Sequence, residues 1–293
     1  MSFAQLKRAY HSLKGWSQRY RWPLTTLGAV VLVAGVALSV LSLDFDPAQM
    51  QPAYLALLAL TLIPAGMVVG ALNLQLMARV VGTKIGFRTA IAVTAYGRIA
   101  EVLPIPGRAV VRGAALMQSG AKMGETVSIM VWSSLLSLAM VGLCASVPLT
   151  FAYPAVGGVV AAGSAGVGCI SAWWIFSQSN AAVLAAMMVL RFVNVALSVM
   201  RHWACFAAIG FGLTFVTSAL FVVAGSITTY VGVVPGGLGI SEILSAALAL
   251  IVDIEPSSAF LAAALNRFTG LAMSGLVALI LSASIGHKVK EAQ

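Results

Sequence analysis

The sequence predicts an all-α, polytopic transmembrane helical bundle with about eight crossings, a re-entrant hairpin, and helices broken at two Pro-Gly motifs. Of its 293 residues, 60% are hydrophobic and 9% charged, and the mean hydropathy is +1.00. The run from Leu24 to Leu43 holds 20 residues without a charge. At about 1.5 Å per residue it reaches roughly 30 Å, the thickness of the hydrocarbon core. Two Pro- and Gly-rich stretches, 104–107 and 235–239, interrupt this apolar pattern.

Eight apolar segments are predicted to cross or enter the bilayer. Their approximate ranges are 24–43, 53–78, 125–148, 154–177, 182–210, 213–233, 240–252 and 257–285. Pro64 predicts a kink within the second segment. Residues 89–123 are predicted to form two half-helices in a re-entrant hairpin, because charged residues and the first break interrupt the apolar pattern there. The predicted hinge residues are Pro104, Gly107, Pro235, Gly236, Gly237 and Gly239.

The charges predict the topology and three regions. These are a basic cytoplasmic or interfacial segment at 1–22, a transmembrane domain at 23–286 and a cytoplasmic tail at 287–293. By the positive-inside rule, the Lys and Arg residues in the flanks predict that both termini lie in the cytoplasm. The expected location is a cell inner membrane. Much of the net charge of +9 lies in those flanks, so no nucleic-acid binding is expected. Three cysteines without CxxC spacing predict neither a zinc site nor a disulfide framework. No metal or cofactor is expected.

The second break leads at once into a carboxylate, Glu242. Backbone groups freed by such a break find partners only in a protein interior or a wet cavity. An ionisable residue at membrane depth indicates a functional site. We expect Glu242 to carry a proton, or to act as counter-ion to a cationic lipid group or a buried arginine. The alternative is a first-turn acid that complements the helix dipole.

The first break carries two pairs of charged residues. Arg98 and Glu101 are three residues apart and share a helix face. Arg108 and Arg112 are four apart, just past the break, where free N–H groups and two guanidiniums would cradle a phosphate. The alternative is that these arginines extend to the interface or pair with Glu101 and Glu125.

Polar residues also lie within two later segments. Arg191, Asn194, Ser198 and Arg201 recur at steps of three, four and three, which makes one stripe that faces the bundle interior or water. The final span carries an Asn-Arg pair at 266–267, where we expect an interhelical hydrogen bond and an ion pair with Glu242.

The predicted buried charges do not balance. Six arginines are predicted at membrane depth, but only two acids are predicted there, Glu101 and Glu242. Glu125 lies at the margin of that region. Unpaired buried cations are costly, so we expect an anion, a lipid phosphate, to complete the site. The predicted substrate-binding residues are Arg98, Glu101, Arg108, Arg112, Arg191, Arg201, Glu242, Asn266 and Arg267.

These motifs resemble the transmembrane flippase-like region of lysylphosphatidylglycerol synthases and their stand-alone inner-membrane relatives, over about 20–285. Residues 235–242 fit the family's Pro-Gly-Gly-x-Gly-x-x-Glu pattern, and Arg267 matches an arginine in its last long helix. Leu103-Pro104, with Gly107 and Arg112, matches a second family pattern.

The chain also departs from the family's pattern at two places. Glu101 stands where the family often has Asn, and Trp-Ser-Ser at 132–134 stands where it often has a Glu-Arg pair. The resemblance implies a polytopic protein that moves, or helps to move, an anionic or aminoacylated lipid between leaflets. Only eight residues follow Ile285, so we expect no lipid aminoacylation by this chain alone.

The leading functional hypothesis is therefore a lipid translocase, not an enzyme, whose partner is a membrane phospholipid or another anionic lipid. Arg108 and Arg112 would bind the headgroup phosphate, and Glu242 and Arg267 would form a switchable pair. No P-loop is visible, so uphill transport would use an ion or proton gradient; the alternative is that the protein merely equilibrates lipid between leaflets. The alternatives are a membrane enzyme acting on a lipid phosphate or polyprenyl carrier, and a subunit that scaffolds lipid-modifying enzymes. The pattern makes no prediction of oligomeric state.

Overall fold

The computed structural model describes Val30 and residues 32–43, 50–101, 107–231 and 239–290. Within these ranges the chain forms helices and their connecting turns, with no strand, which confirms the predicted all-α class. Of the predicted hinge residues, Gly107 and Gly239 are described. The others, Pro104, Pro235, Gly236 and Gly237, lie outside the described residues, as does the predicted interfacial segment 1–22.

The helices follow the predicted segments closely in order and in position. In chain order they are α1 Leu32–Ser42, α2 Pro52–Val80, α3 Phe87–Ala100, α4 Gly107–Gln118, α5 Met123–Ala152, α6 Pro154–Gln178, α7 Ala181–Ala208, α8 Phe215–Val231, α9 Ile240–Ala249 and α10 Pro256–Lys290. A 3₁₀ turn, Leu250–Val252, extends α9. Because α10 continues through Lys290, the first four residues of the predicted tail are helical.

Five helices are long and apolar enough to cross a membrane. They are α2, α5, α6, α7 and the first 27 residues of α10. Large apolar side chains lie exposed on them, including Phe151 at 82%, Val159 at 74% and Trp173 at 70% exposure. Exposed apolar surface on this scale is costly in water and favourable in lipid. These helices indicate a membrane-embedded protein. The sequence predicts eight crossings. The three predicted segments that remain, α1, α8 and α9, are shorter apolar helices within the described ranges.

Helix α2 lies at the centre of the bundle and packs against α3 and α7. Leu58, Ile63 and Leu74 on it are fully buried. The predicted disturbance at Pro64 takes the form of a π-helical turn over Leu58–Leu62. Proline has no N–H and its ring crowds the preceding turn, and a wider turn accommodates both effects.

Helices α3 and α4 are short helices that pack against each other. With 14 and 12 residues, they reach roughly 21 and 18 Å, short of a crossing of about 30 Å. A Cβ built on Gly107 would lie 1.9 Å from the carbonyl oxygen of Ala100. The start of α4 therefore meets the end of α3 at a distance that only glycine allows, which brings the two ends of the first break together.

Candidate functional site

A polar cavity of about 330 Å³ lies within the bundle, lined by residues of α2–α5 and α7–α10. This volume falls in the range of roughly 300–1,000 Å³ that is typical of small-molecule sites. The six arginines predicted at membrane depth all line it: Arg98, Arg108, Arg112, Arg191, Arg201 and Arg267. Segments far apart in sequence thus meet at one place, which we call the arginine cavity.

The polar stripe of α7 faces this cavity. Arg191, Asn194, Ser198 and Arg201 all line it, as the steps of three and four residues predict. Arg191 is buried, and its Nη2 donates to the hydroxyl oxygen of Ser133 on α5. The stripe therefore joins α7 to α5 while presenting guanidiniums to the cavity.

The first break contributes an accessible ion pair. Arg108 Nη1 lies 3.1 Å from Glu101 Oε1, and the two side chains are 33% and 27% exposed. Arg108 and Arg112 lie in the first two turns of α4, and the start of that helix lines the cavity. A surface-type pair of this kind contributes only about 0–1 kcal/mol. An incoming anion can therefore replace Glu101 beside Arg108 at little cost.

The second break ends in a buried ion pair. Gly239 adopts φ +79°, a left-handed conformation that favours glycine, directly before α9 begins. Glu242, the third residue of α9, is fully buried, and its Oε1 lies 2.9 Å from Arg267 Nε. Arg267 also donates from Nη2 to Ser241 Oγ at 2.5 Å. The ion pair expected from the sequence is present. Removing one partner of such a buried pair costs about 3–5 kcal/mol.

Two glycines on α2 make room for arginines. A Cβ on Gly66 would lie 3.6 Å from Arg201 Nη1, and a Cβ on Gly70 would lie 3.5 Å from Arg112 Nη2. The sequence analysis missed these glycines. Their four-residue spacing was the available signal, since small residues at that spacing allow close approach in membrane helices.

A third glycine, on α10, makes room for the arginine of α3. A Cβ on Gly270 of α10 would lie 3.4 Å from Arg98 Nη2. Arg98, Arg108 and Arg201 also lie within electrostatic range of one another, with Glu101 as the carboxylate among them. Three guanidiniums and one carboxylate thus share this part of the cavity.

The charges of the site do not balance. Six guanidiniums line the cavity, and the carboxylates at or behind its described wall are Glu101 and Glu242, an excess of four positive charges. The sequence at 102–106 and 232–238, which adjoins the two breaks, contains no Asp or Glu. Those segments therefore supply no carboxylate to offset the excess.

The structure corrects one sequence-based alternative, the pairing of the arginines with Glu125, and forms the interhelical hydrogen bond expected at 266–267 through Arg267 and Ser241. Glu125 pairs with no cavity arginine in the described ranges. Its Oε2 instead accepts from the Lys122 N–H at 3.2 Å at the start of α5, which satisfies a free donor of the helix end. Asn266 lines the cavity, but its buried Oδ1 has no hydrogen-bond partner among the described residues, so the expected interhelical bond is not formed by that oxygen.

Serine hydroxyls accept hydrogen bonds from two of the arginines, a role that the sequence analysis did not assign. Ser133 accepts from Arg191, and Ser241 accepts from Arg267. Within the described ranges, no group of three or more His, Cys, Asp or Glu could hold a metal ion.

No protein-family model matches the chain, and no curated protein matches it. The resemblance to the lysylphosphatidylglycerol synthase region therefore rests on the motifs quoted above.

Proposed function

We propose that the protein is a lipid translocase that moves an anionic or aminoacylated phospholipid, or a related lipid, between leaflets. The observation that carries this proposal is the arginine cavity within a bundle of apolar helices. A cavity with an excess of four positive charges suits a phosphate headgroup. The apolar outer surfaces of the long helices suit acyl chains that stay in the bilayer.

The two ion pairs have different parts in the proposed cycle. The accessible pair Arg108–Glu101 meets the headgroup first, and a phosphate takes the place of Glu101 beside Arg108. The buried pair Arg267–Glu242 holds α9 against α10. Breaking it costs several kcal/mol, so it opens only with a rearrangement of the second break. That rearrangement would release the headgroup to the other side.

The proposal includes a membrane topology. With the five long helices, α1, α8 and α9 make eight segments that cross or enter the membrane, and α3 and α4 form a re-entrant hairpin. Both termini lie in the cytoplasm of a cell with an inner membrane. In this arrangement the short helices α4 and α9 begin inside the membrane, where their N–H groups face the cavity instead of lipid.

The test is lipid movement in reconstituted vesicles. Fluorescent phosphatidylglycerol and phosphatidic acid are incorporated, and the fraction accessible to an external quencher is followed over time. We expect the wild-type protein to accelerate movement and the Glu242→Gln variant to abolish it, because Arg267 then lacks its carboxylate and retains the headgroup phosphate instead of releasing it. Arg79→Gln is the matched control, since Arg79 is exposed at the end of α2 and lies outside the cavity.

Undiminished movement in the Glu242→Gln variant would remove Glu242 from the mechanism. If wild-type vesicles move neither lipid faster than protein-free vesicles, the translocase proposal is wrong. Chemical analysis of the recovered lipid gives a further outcome, because conversion of the lipid into a product would indicate an enzyme instead.

A further inference from the structure

We infer that the cavity selects a phosphate group carrying two negative charges, a phosphomonoester or a diphosphate, and that Arg98 and Arg201 bind it. A monoanionic phosphodiester or an aminoacylated headgroup would bind more weakly. The inference rests on the proposed function only for the source of the phosphate, which is a lipid headgroup. We call the two guanidiniums the Arg98–Arg201 subsite.

The Arg98–Arg201 subsite consists of two like charges, with Glu101 within electrostatic range of both. The two side chains lie within electrostatic range of each other, on α3 and α7, and both line the cavity. Among the described residues, the ion pairs at this site involve Arg108 and Arg267, and neither subsite arginine is in one. Two adjacent cations are most stable when one anion contacts both, and a fork of N–H donors on each suits a phosphate.

Arg201 also has a hydrogen-bond donor for which the described residues supply no acceptor. Its Nε is buried and has no hydrogen-bond partner among the described residues. A buried donor left unsatisfied is destabilising, and more so when it belongs to a charged group. Gly66 and Gly270 give the two guanidiniums room against α2 and α10. The subsite is therefore built to keep both cations in the cavity and to leave at least one buried donor for a ligand.

The number of negative charges on the headgroup distinguishes phosphomonoesters from phosphodiesters as ligands. Glu101 partly offsets Arg108, and Glu242 offsets Arg267. A phosphodiester headgroup carries one negative charge and would leave the Arg98–Arg201 subsite net positive. A phosphomonoester, whose second pKa is about 6, carries up to two and would neutralise it. A lysyl headgroup would bring further cations into a site that already repels them. One additional charge-assisted contact is worth about 1.5–3 kcal/mol, which corresponds to roughly tenfold or more in affinity.

Binding measured on the purified full-length protein in detergent tests this inference. The probes are phosphatidic acid and phosphatidylglycerol with identical acyl chains, lysyl-phosphatidylglycerol, and inorganic phosphate, all at about pH 8, where a phosphomonoester carries nearly two charges. We expect phosphatidic acid to bind about tenfold more tightly than phosphatidylglycerol, and lysyl-phosphatidylglycerol to bind most weakly of the lipids. Arg201→Gln and Arg98→Gln should each reduce the preference to about threefold or less, whereas Arg79→Gln should keep it.

Each outcome has a defined meaning. Equal binding of the two unmodified lipids to the wild-type protein, or a preference that survives both subsite variants, would overturn the inference. The wild-type comparison needs no variant, so a misfolded variant leaves the test intact. Inorganic phosphate that binds as tightly as phosphatidic acid would support the subsite but contradict a lipid as the source. Dianion-selective binding without lipid movement would contradict the translocase proposal alone, and lipid movement without selectivity would contradict this inference alone.

Discussion

At the scale of single residues, burial separates the two ion pairs of the cavity. Arg108 and Glu101 are partly exposed, whereas Glu242 is fully buried and Arg267 nearly so. Solvent screens the first pair and weakens it. The second pair has lost its hydration, so each charge depends on the other. The first pair can therefore exchange with a ligand, and the second pair stabilises the packing of α9 against α10.

The buried pair gives a stability prediction. Arg267→Ala leaves the Glu242 carboxylate buried without its cation, and we expect a loss of about 3–5 kcal/mol in the free energy of unfolding. The double variant Arg267→Ala/Glu242→Gln should regain much of that loss, because no charge is then buried alone. Thermal unfolding in detergent, followed by tryptophan fluorescence, measures both changes.

The control for this prediction is Arg79→Ala, a substitution at an exposed arginine of α2. Its effect should stay within about 0.5 kcal/mol. An Arg267→Ala variant as stable as this control would show that the buried pair contributes nothing to stability.

At the scale of elements, the site depends on short helices and on glycines that let them come close. Helices α4 and α9 both begin at the wall of the cavity, directly after the two breaks. Gly70 on α2 lies opposite Thr94 of α3 and the guanidinium of Arg112. The approach of α2 to α3 and α4 at Gly70 therefore sets where Arg112 lies in the cavity.

Gly70→Ala tests that role of α2. The new Cβ would lie 3.0 Å from Thr94 Cγ2 and 3.5 Å from Arg112 Nη2. We expect a destabilisation of about 1–3 kcal/mol from overpacking, together with weaker binding of phosphatidic acid. Gly163→Ala on α6 is the matched control, because nothing lies within 4 Å of its Cβ position. Alanine there should leave stability unchanged or raise it by up to about 1 kcal/mol. Equal effects of the two substitutions would contradict the proposed contact.

At the scale of the whole molecule, local patterns predicted much of the fold and part of the site. Apolar runs of bilayer length predicted the long helices, and steps of three and four residues predicted that the stripe of α7 faces inward. An excess of arginines over acids predicted that charged segments gather around one space. The pair Glu242–Arg267 was predictable because few acids were available as partners.

Other features depend on tertiary distances that a local pattern does not contain. The contact between Arg191 and Ser133 joins residues 58 positions apart, and the departure noted at 132–134 does not identify Arg191 as the partner of Ser133. The partner of Glu125 was wrongly predicted because a bond to its own helix start competes with distant arginines. The close approach of Arg201 to Gly66 and of Arg112 to Gly70 depends on where α7 and α4 lie relative to α2.

The most direct test of the account is native mass spectrometry of the lipids that co-purify with the protein. The central claim is that an anionic lipid phosphate occupies the arginine cavity. We predict that the wild-type protein and the Arg79→Ala control retain a phosphate-bearing anionic lipid, and that Arg108→Ala and Arg112→Ala each lose most of it. Equal retention of the same lipid by all four proteins would contradict the claim.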